Sequence, residues 1–192
     1  MSDQHHLFPL FLKLSGRAVL VVGAGPVAEG KLKTLLEAGA AIHVVAPETT
    51  QAIDRMGVRI SRREFQSADL EGAWFVVAAA TPAANRRVAE EAERRNVFVN
   101  AVDDPDNASA YLGGVTRRAG VTFAISTDGR APALAGLLRE GLDAVLPESD
   151  LRTWVAEAER MRERWRAGHV PMADRRPALL RALMKSYDRE PH

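Results

Sequence analysis

The feature that most constrains this chain is a glycine turn set between two apolar segments of different period. Residues 17–22 form a short apolar run, and Gly23-Ala24-Gly25-Pro26-Val27-Ala28 follows as G-x-G-x-x-A. Beyond it, Val27, Leu32, Leu35 and Leu36 share one helical face over residues 27–38. This reads as strand, turn and helix. Gly39 suits the left-handed cap position at the helix end, and residues 41–46 resume as an apolar strand before Pro47. One βαβ unit is thereby complete within about thirty residues, as a crossover requires.

In that context each small residue has a physical task. The first glycine allows the tight turn, the second lets a pyrophosphate approach the backbone, and Ala28 permits close packing of helix on strand. The helix N-terminus, at Pro26 and Val27, then offers free N–H groups and a partial positive charge to an anion. Dinucleotide binding is the functional reading, and a merely tight βα turn is the plain one. The acidic residue that holds the adenine ribose belongs at the end of the second strand, which here reads Ala46-Pro47-Glu48. Glu48 is the nearest carboxylate, displaced past a proline, and equally fits a solvated loop position. No arginine lies in that turn to receive a 2′-phosphate, which favours NAD over NADP, although Arg62 and Arg63 at the end of the third strand are within reach of the ribose.

The alternation continues with a helix over 51–56, strands over 58–62 and 74–79, a helix over 83–95 and a strand over 97–100. Such alternation predicts a parallel sheet, so the fold class is α/β with a Rossmann-type domain over residues 1–106. Asp103, Asp104, Pro105, Asp106 and Asn107 then make a polar turn, after which residues 111–117 and 121–126 read as a hairpin joined at Arg118, Ala119 and Gly120. Residues 132–146 return to helical spacing, with Leu134, Leu137, Leu138, Leu142 and Val145 expected on one buried face. Residues 107–147 are accordingly a small α+β region. A helical C-terminal region, 148–192, follows, with helices expected over 151–166 and 175–187.

Composition narrows the function. The 192 residues contain no cysteine, which excludes thiolate metal sites and cysteine nucleophiles and suits a reducing cytoplasm. With 26 basic and 25 acidic residues, nothing global draws the chain to nucleic acid, and no segment approaches the roughly 20 apolar residues of a membrane span. The first fourteen residues lack the basic start and long apolar centre of a signal peptide. None of His5, His6, His43, His169 and His192 has metal-ligand spacing; His43 reads as a packed or edge strand residue, and His5 and His6 as terminal residues. No metal site is expected.

Several separated motifs agree in order and spacing with one family. Phe8-Pro9-Leu10-Phe11, the stretch from Val21 to Ala28 with Lys31, Ala78-Ala79-Ala80-Thr81 with Asn85, Asn100-Ala101-Val102-Asp103, and Ser126-Thr127-Asp128-Gly129-Arg130-Ala131-Pro132 resemble the precorrin-2 dehydrogenase family, which includes the N-terminal part of siroheme synthases. The resemblance implies an NAD-dependent oxidoreductase that converts precorrin-2, a tetrapyrrole, to sirohydrochlorin, with ferrous iron insertion as an added activity in some members. It also implies a homodimer joined through residues 107–147. A different class of reading, a non-catalytic NAD-sensing domain, shares Gly23 and Gly25 with the enzyme.

By that resemblance the family carboxylate maps onto Asp103, which follows the fifth strand, where a doubly wound sheet opens its ligand crevice. Asp103 is then the catalytic acid/base, against the alternative that Asp103, Asp104 and Asp106 only cap a turn. Thr81 and Asn85 open the helix after the fourth strand and are candidate cofactor ligands, with helix capping as Thr81's other reading. For a substrate bearing eight carboxylates, the cations Arg117, Arg118, Arg130 and Arg139 are candidates, and Thr127 and Gly129 are expected to line the cleft beside Arg130.

Overall fold

The structure, a computed structural model, describes residues 6–187; His5 and His192 lie outside the described residues. The chain divides into two compact units, the first ending at Leu112 and the second starting at Gly113.

The first unit is a five-stranded sheet in the order β3-β2-β1-β4-β5, with every neighbouring pair parallel. Its elements are β1 (Ala18–Val22), α1 (Pro26–Glu37), β2 (Ala41–Val45), α2 (Gln51–Asp54), β3 (Arg59–Ser61), β4 (Phe75–Ala78), α3 (Pro82–Arg94) and β5 (Phe98–Ala101). Short 3-10 turns occupy Ser67–Leu70 and Pro105–Asn107. The central strands are apolar without alternation because both faces are covered. Val19, Val21, Val44 and Val77 pack with Ala28, Leu32 and Leu35 of α1, while Leu20, Val22, Val45, Val76 and Val99 pack with Val88, Ala89 and Ala92 of α3. From β1 the chain runs outward through β2 to β3, then returns to place β4 on the opposite side of β1. The crevice of such a sheet therefore opens at the C-terminal ends of β1 and β4.

Two sequence expectations need correction here. The buried face of α1 is Ala28, Leu32 and Leu35, at i, i+4 and i+7, so Val27 and Leu36 fall beside it and stay exposed. Trp74 is not a strand residue: half-exposed, it lies under the Arg17 guanidinium, 3.7 Å from ring centroid to Cζ, a cation–π contact at the sheet rim. The polar stretch 67–70, for which the sequence raises no expectation, coils into a 3-10 turn, because the Gln66 and Asp69 side chains cap each other's backbone N–H groups.

The second unit opens with the antiparallel hairpin β6 (Gly114–Arg118) and β7 (Val121–Ile125), followed by α4 (Pro132–Val145), α5 (Glu148–Ala167) and α6 (Met172–Tyr187). Its turn has only two residues, Ala119 and Gly120, with φ of +47° and +80°, so Arg118 belongs to the strand. Tyr111 was expected in the first strand. It belongs to the preceding loop, where its hydroxyl donates to the Pro105 carbonyl at 3.0 Å. Asp143 of α4 accepts from Thr116 Oγ1 at 3.0 Å and pairs with Arg118 Nε at 3.3 Å, which pins helix to hairpin. The expected burial on α4 is not observed. Only Ala135 is buried, while Leu134, Leu137, Leu138 and Val145 stand exposed. α6 begins earlier than expected and runs through Pro177, which replaces one backbone donor inside the helix.

Candidate functional site

The geometry of the glycine turn separates its two glycines. Gly23 has φ of +102°, and a Cβ there would sit 2.2 Å from the Ala79 carbonyl oxygen and 2.9 Å from the Ala80 nitrogen. The fold itself therefore requires glycine, because β1 and the chain leaving β4 approach backbone to backbone. Gly25 is different. Its φ is an ordinary −83°, and a Cβ there would meet no atom of the described residues within 4 Å. It is the N-cap of α1, and among the described residues no side chain caps the first-turn N–H groups, Val27's among them. Glycine suits the N-cap, and its missing side chain leaves the backbone there open to a group from outside the described residues. The residues present fit a dinucleotide pyrophosphate.

Beside this turn, at the ends of β1, β2 and β4, lies a cleft of about 360 Å³. Gly23, Ala46 and Pro47 line one side, and Ala80, Thr81 and Ala84 the other. Val22, Val45, Glu64, Phe65, Ala83 and Arg87 complete it, and the sequence reasoning missed its two charged members, Glu64 and Arg87. The loop after β3 could have been found from topology, since it too ends at the crevice. Glu48 is exposed and outside this lining. Arg62 is paired with Asp54 at 2.7 Å and also donates to Thr49. Arg63 grips both oxygens of Asp69, at 2.5 and 2.8 Å. That bidentate contact holds the Asp69 carboxyl below the usual carboxylate range and raises the Arg63 guanidinium above its own.

Thr81 is the N-cap of α3, its hydroxyl accepting from the Ala84 N–H at 3.4 Å. Asn85 is buried, and its Oδ1 accepts from the Ala80 N–H at 2.9 Å, which fixes the loop that forms the cleft wall. His43 sits half-buried on β2 with Nε2 at 2.9 Å from Ser61 Oγ; burial, then the charge of Arg59, lowers its pKa.

Asp103 lies beyond β5 and not in this cleft. It is exposed, with φ of +56°, a left-handed backbone that few non-glycine residues adopt. The neighbouring Val102 packs on the α1 side of the sheet, and Lys31 of α1 is half-buried there. Burial pushes the Lys31 ammonium down, while the charge of Asp103 pulls it back up. On the same side Asn100, on β5, is buried, donates from Nδ2 to the Ala110 carbonyl at 2.9 Å, and keeps its Oδ1 without a partner among the described residues. Asp104 accepts both of its hydrogen bonds from Asn107 Nδ2, at 2.8 and 3.0 Å, and so is a turn-forming residue. Asp106 is exposed within the 3-10 turn.

In the second unit, Thr127 Oγ1 accepts from the Ala131 N–H at 3.1 Å and starts the turn into α4. Asp128 and Gly129 both have positive φ, +53° and +73°, within that turn. Arg130 pairs with Asp128 at 3.4 Å, and Arg118 and Arg139 both reach Asp143. Arg117 is exposed on β6. Among the described residues no group of three or more His, Asp or Glu side chains could hold a metal, and no helix is long and apolar enough to cross a membrane.

A parallel sheet whose glycine turn leaves room against a free helix N-terminus, at a topological switch point, defines a Rossmann-type dinucleotide-binding protein. The sequence profile of a family described as "Putative NAD(P)-binding" matches residues 10–114. Siroheme synthase 3 of Aeromonas hydrophila is 40% identical over 173 residues, covering 88% of this chain and 37% of that protein. Siroheme synthase of Photorhabdus laumondii matches to the same extent, 40% over 173 residues. The chain thus spans little more than a third of the length of these curated relatives. Among solved structures, that of SirC, precorrin-2 dehydrogenase, superposes with a TM-score of 0.73 at 26% identity, over 91% of this chain and 88% of that one. The chain belongs to this NAD(P)-binding family, and it is similar to the siroheme synthases and to the precorrin-2 dehydrogenase SirC.

Proposed function

We propose that this chain is an NAD-dependent dehydrogenase that oxidises precorrin-2 to sirohydrochlorin. The observation that carries the reading is the open approach at Gly25 beside the switch-point cleft, in a chain that matches a precorrin-2 dehydrogenase structure over nine-tenths of its length. When bound, NAD+ supplies the acceptor for the hydride that precorrin-2 loses. The Val27 N–H and the α1 dipole hold the pyrophosphate against Gly23 and Gly25, with Pro26 presetting the helical turn. Ala46, Pro47 and Thr81 enclose the adenosine side, and Asn85 keeps the Ala80 wall in place. NAD is preferred over NADP, since Arg62 and Arg63 are already bound to carboxylates and are not free for a 2′-phosphate.

The proton released with the hydride goes to the Asp103 carboxylate, which no hydrogen bond among the described residues occupies. Lys31 of α1 lies near it, its ammonium pushed down by burial and pulled back up by the Asp103 charge. Thr127, Gly129, Arg117 and Arg130 contribute to the tetrapyrrole site, the arginines by pairing with substrate carboxylates. The exposed apolar face of α4 supports assembly as a homodimer through the second unit, and the cysteine-free composition suits the cytoplasm.

The test is anaerobic oxidation of precorrin-2, following NADH formation with NAD+ and, separately, NADP+. Turnover with NAD+ is expected. Tight NAD binding without any oxidation would support the sensing domain instead.

A further inference from the structure

The sequence looks for the ribose-binding carboxylate at the end of β2, yet the cleft is lined by an acidic residue from the loop after β3. We propose that Glu64 is the residue that accepts the hydrogen-bond donors of the adenosine half of the dinucleotide and sets the selectivity for it. This rests on the NAD(P)-binding reading of the cleft and assigns a residue that neither the glycine motif nor the family motifs contain.

Glu64 is the one carboxylate among the residues that line the cleft, and Glu48 is not among them. The backbone of Glu64 is anchored while its side chain is not. Arg63, locked on Asp69, donates from Nη1 to the Glu64 carbonyl at 2.9 Å, and the next residue, Phe65, is buried in the core on the α3 side. The Glu64 carboxylate itself has no partner among the described residues and stands exposed at the cleft. With the backbone already fixed, only the side-chain rotamers remain to be ordered when a donor arrives. The remaining lining, Val22, Ala46, Pro47, Phe65 and Ala84, suits the flat apolar faces of a purine, with the Arg87 guanidinium 5.8 Å from the Phe65 ring centroid. A carboxylate in such a cleft accepts from the ribose hydroxyls or from the exocyclic amino group of adenine, and it repels a 2′-phosphate.

Calorimetric titration of the full chain with NAD+, NADP+ and nicotinamide hypoxanthine dinucleotide, which lacks the exocyclic amino group, separates the two donors. Glu64→Ala should weaken NAD+ by about tenfold or more, as for loss of a charged hydrogen bond. If the ribose is the donor, the hypoxanthine analogue weakens equally and the gap between NAD+ and NADP+ narrows. If the amino group is the donor, the wild type's preference for NAD+ over the analogue disappears in the variant. Either pattern supports the assignment. Unchanged affinities in Glu64→Ala, with loss in Glu48→Ala, would overturn it in favour of the β2 loop. A wild-type chain that binds neither NAD+ nor NADP+ would overturn the underlying reading instead, a distinct result. Glu64 is exposed, so an unchanged thermal midpoint is expected of the variant and serves as the folding control.

Discussion

The two glycines of the turn should fail in opposite ways when each gains a single methyl group. For Gly23→Ala, the new Cβ would lie 2.2, 2.5 and 2.9 Å from three backbone atoms of Ala79 and Ala80, none of which can rotate away. The backbone would also have to hold an L-residue at φ of +102°. Strain of this kind costs about 1–3 kcal/mol, and overpacking about 1–3 kcal/mol more. The sum, roughly 2–6 kcal/mol, is a large part of the 5–15 kcal/mol typical of a whole domain. For Gly25→Ala, φ is −83° and the methyl group meets nothing among the described residues within 4 Å, so the gain from a stiffer unfolded chain and the loss of a better N-cap residue oppose each other and the fold should be nearly unchanged. The same methyl group would occupy the space through which a pyrophosphate reaches the first turn of α1. Urea denaturation and NAD+ calorimetry on both variants make the test. Gly23→Ala should lose stability, whereas Gly25→Ala should keep its midpoint and bind NAD+ at least about tenfold more weakly. Wild-type affinity in a folded Gly25→Ala would show that no ligand approaches the backbone there, and the site would have to be sought elsewhere.

Asp103→Asn keeps size and turn but accepts no proton at neutral pH, so turnover should fall by about 100-fold or more with NAD+ affinity retained. Asp106→Asn should be nearly silent and Asp104→Asn should affect only stability through Asn107; equal small losses in all three would return the proton to solvent. Asp69→Asn should lower stability at neutral pH, because the bidentate pair with Arg63 is lost. Since the folded Asp69 pKa is depressed, its contribution is present above the ordinary aspartate range and is lost as pH falls through the lower folded value. The wild type should thus lose stability in acid more steeply than the variant, and parallel acid limbs in chemical denaturation would contradict the pairing. Sedimentation at micromolar concentration should give a dimer; a monodisperse monomer would leave the α4 leucines unexplained.

The parallel sheet was legible because its signals are local. A glycine turn, a cap at Gly39 and unbroken apolar strands determine strand, helix and crossover within a few residues of themselves, and the observed β1, α1 and β2 fall within a residue or two of expectation. Glu64 was illegible for the opposite reason. Nothing near it in sequence carries a motif, and it enters the cleft only because the sheet order brings the end of β3 beside that of β2. Arg62 and Arg63 present the same difficulty in reverse. As bare residue types at a strand end they look available to a phosphate, and only the folded loop reveals that Asp54 and Asp69 already hold them.

Helical periodicity has a further limit, which α4 makes plain. Spacing at 134, 137, 138 and 145 identifies a stripe that water disfavours, and each large apolar side chain gains about 1.5–3 kcal/mol from full burial. Periodicity does not say which chain supplies the cover. In the first unit the same kind of stripe, Ala28, Leu32 and Leu35, meets a sheet from its own chain and disappears from solvent. In the second unit the hairpin beneath α4 has only two strands, and a two-stranded ribbon is too small to bury a fourteen-residue helix beyond Ala135. On the proposed homodimer reading a second copy would supply the missing layer, because the same apolar stripe can meet itself across a two-fold axis. Replacing Leu137, the most exposed of the three leucines at 64%, by Glu should then split the dimer while leaving the hairpin and α4 folded. Light scattering resolves the outcome. A Leu137→Glu variant that remains a dimer would place the interface on another surface and remove α4 from it.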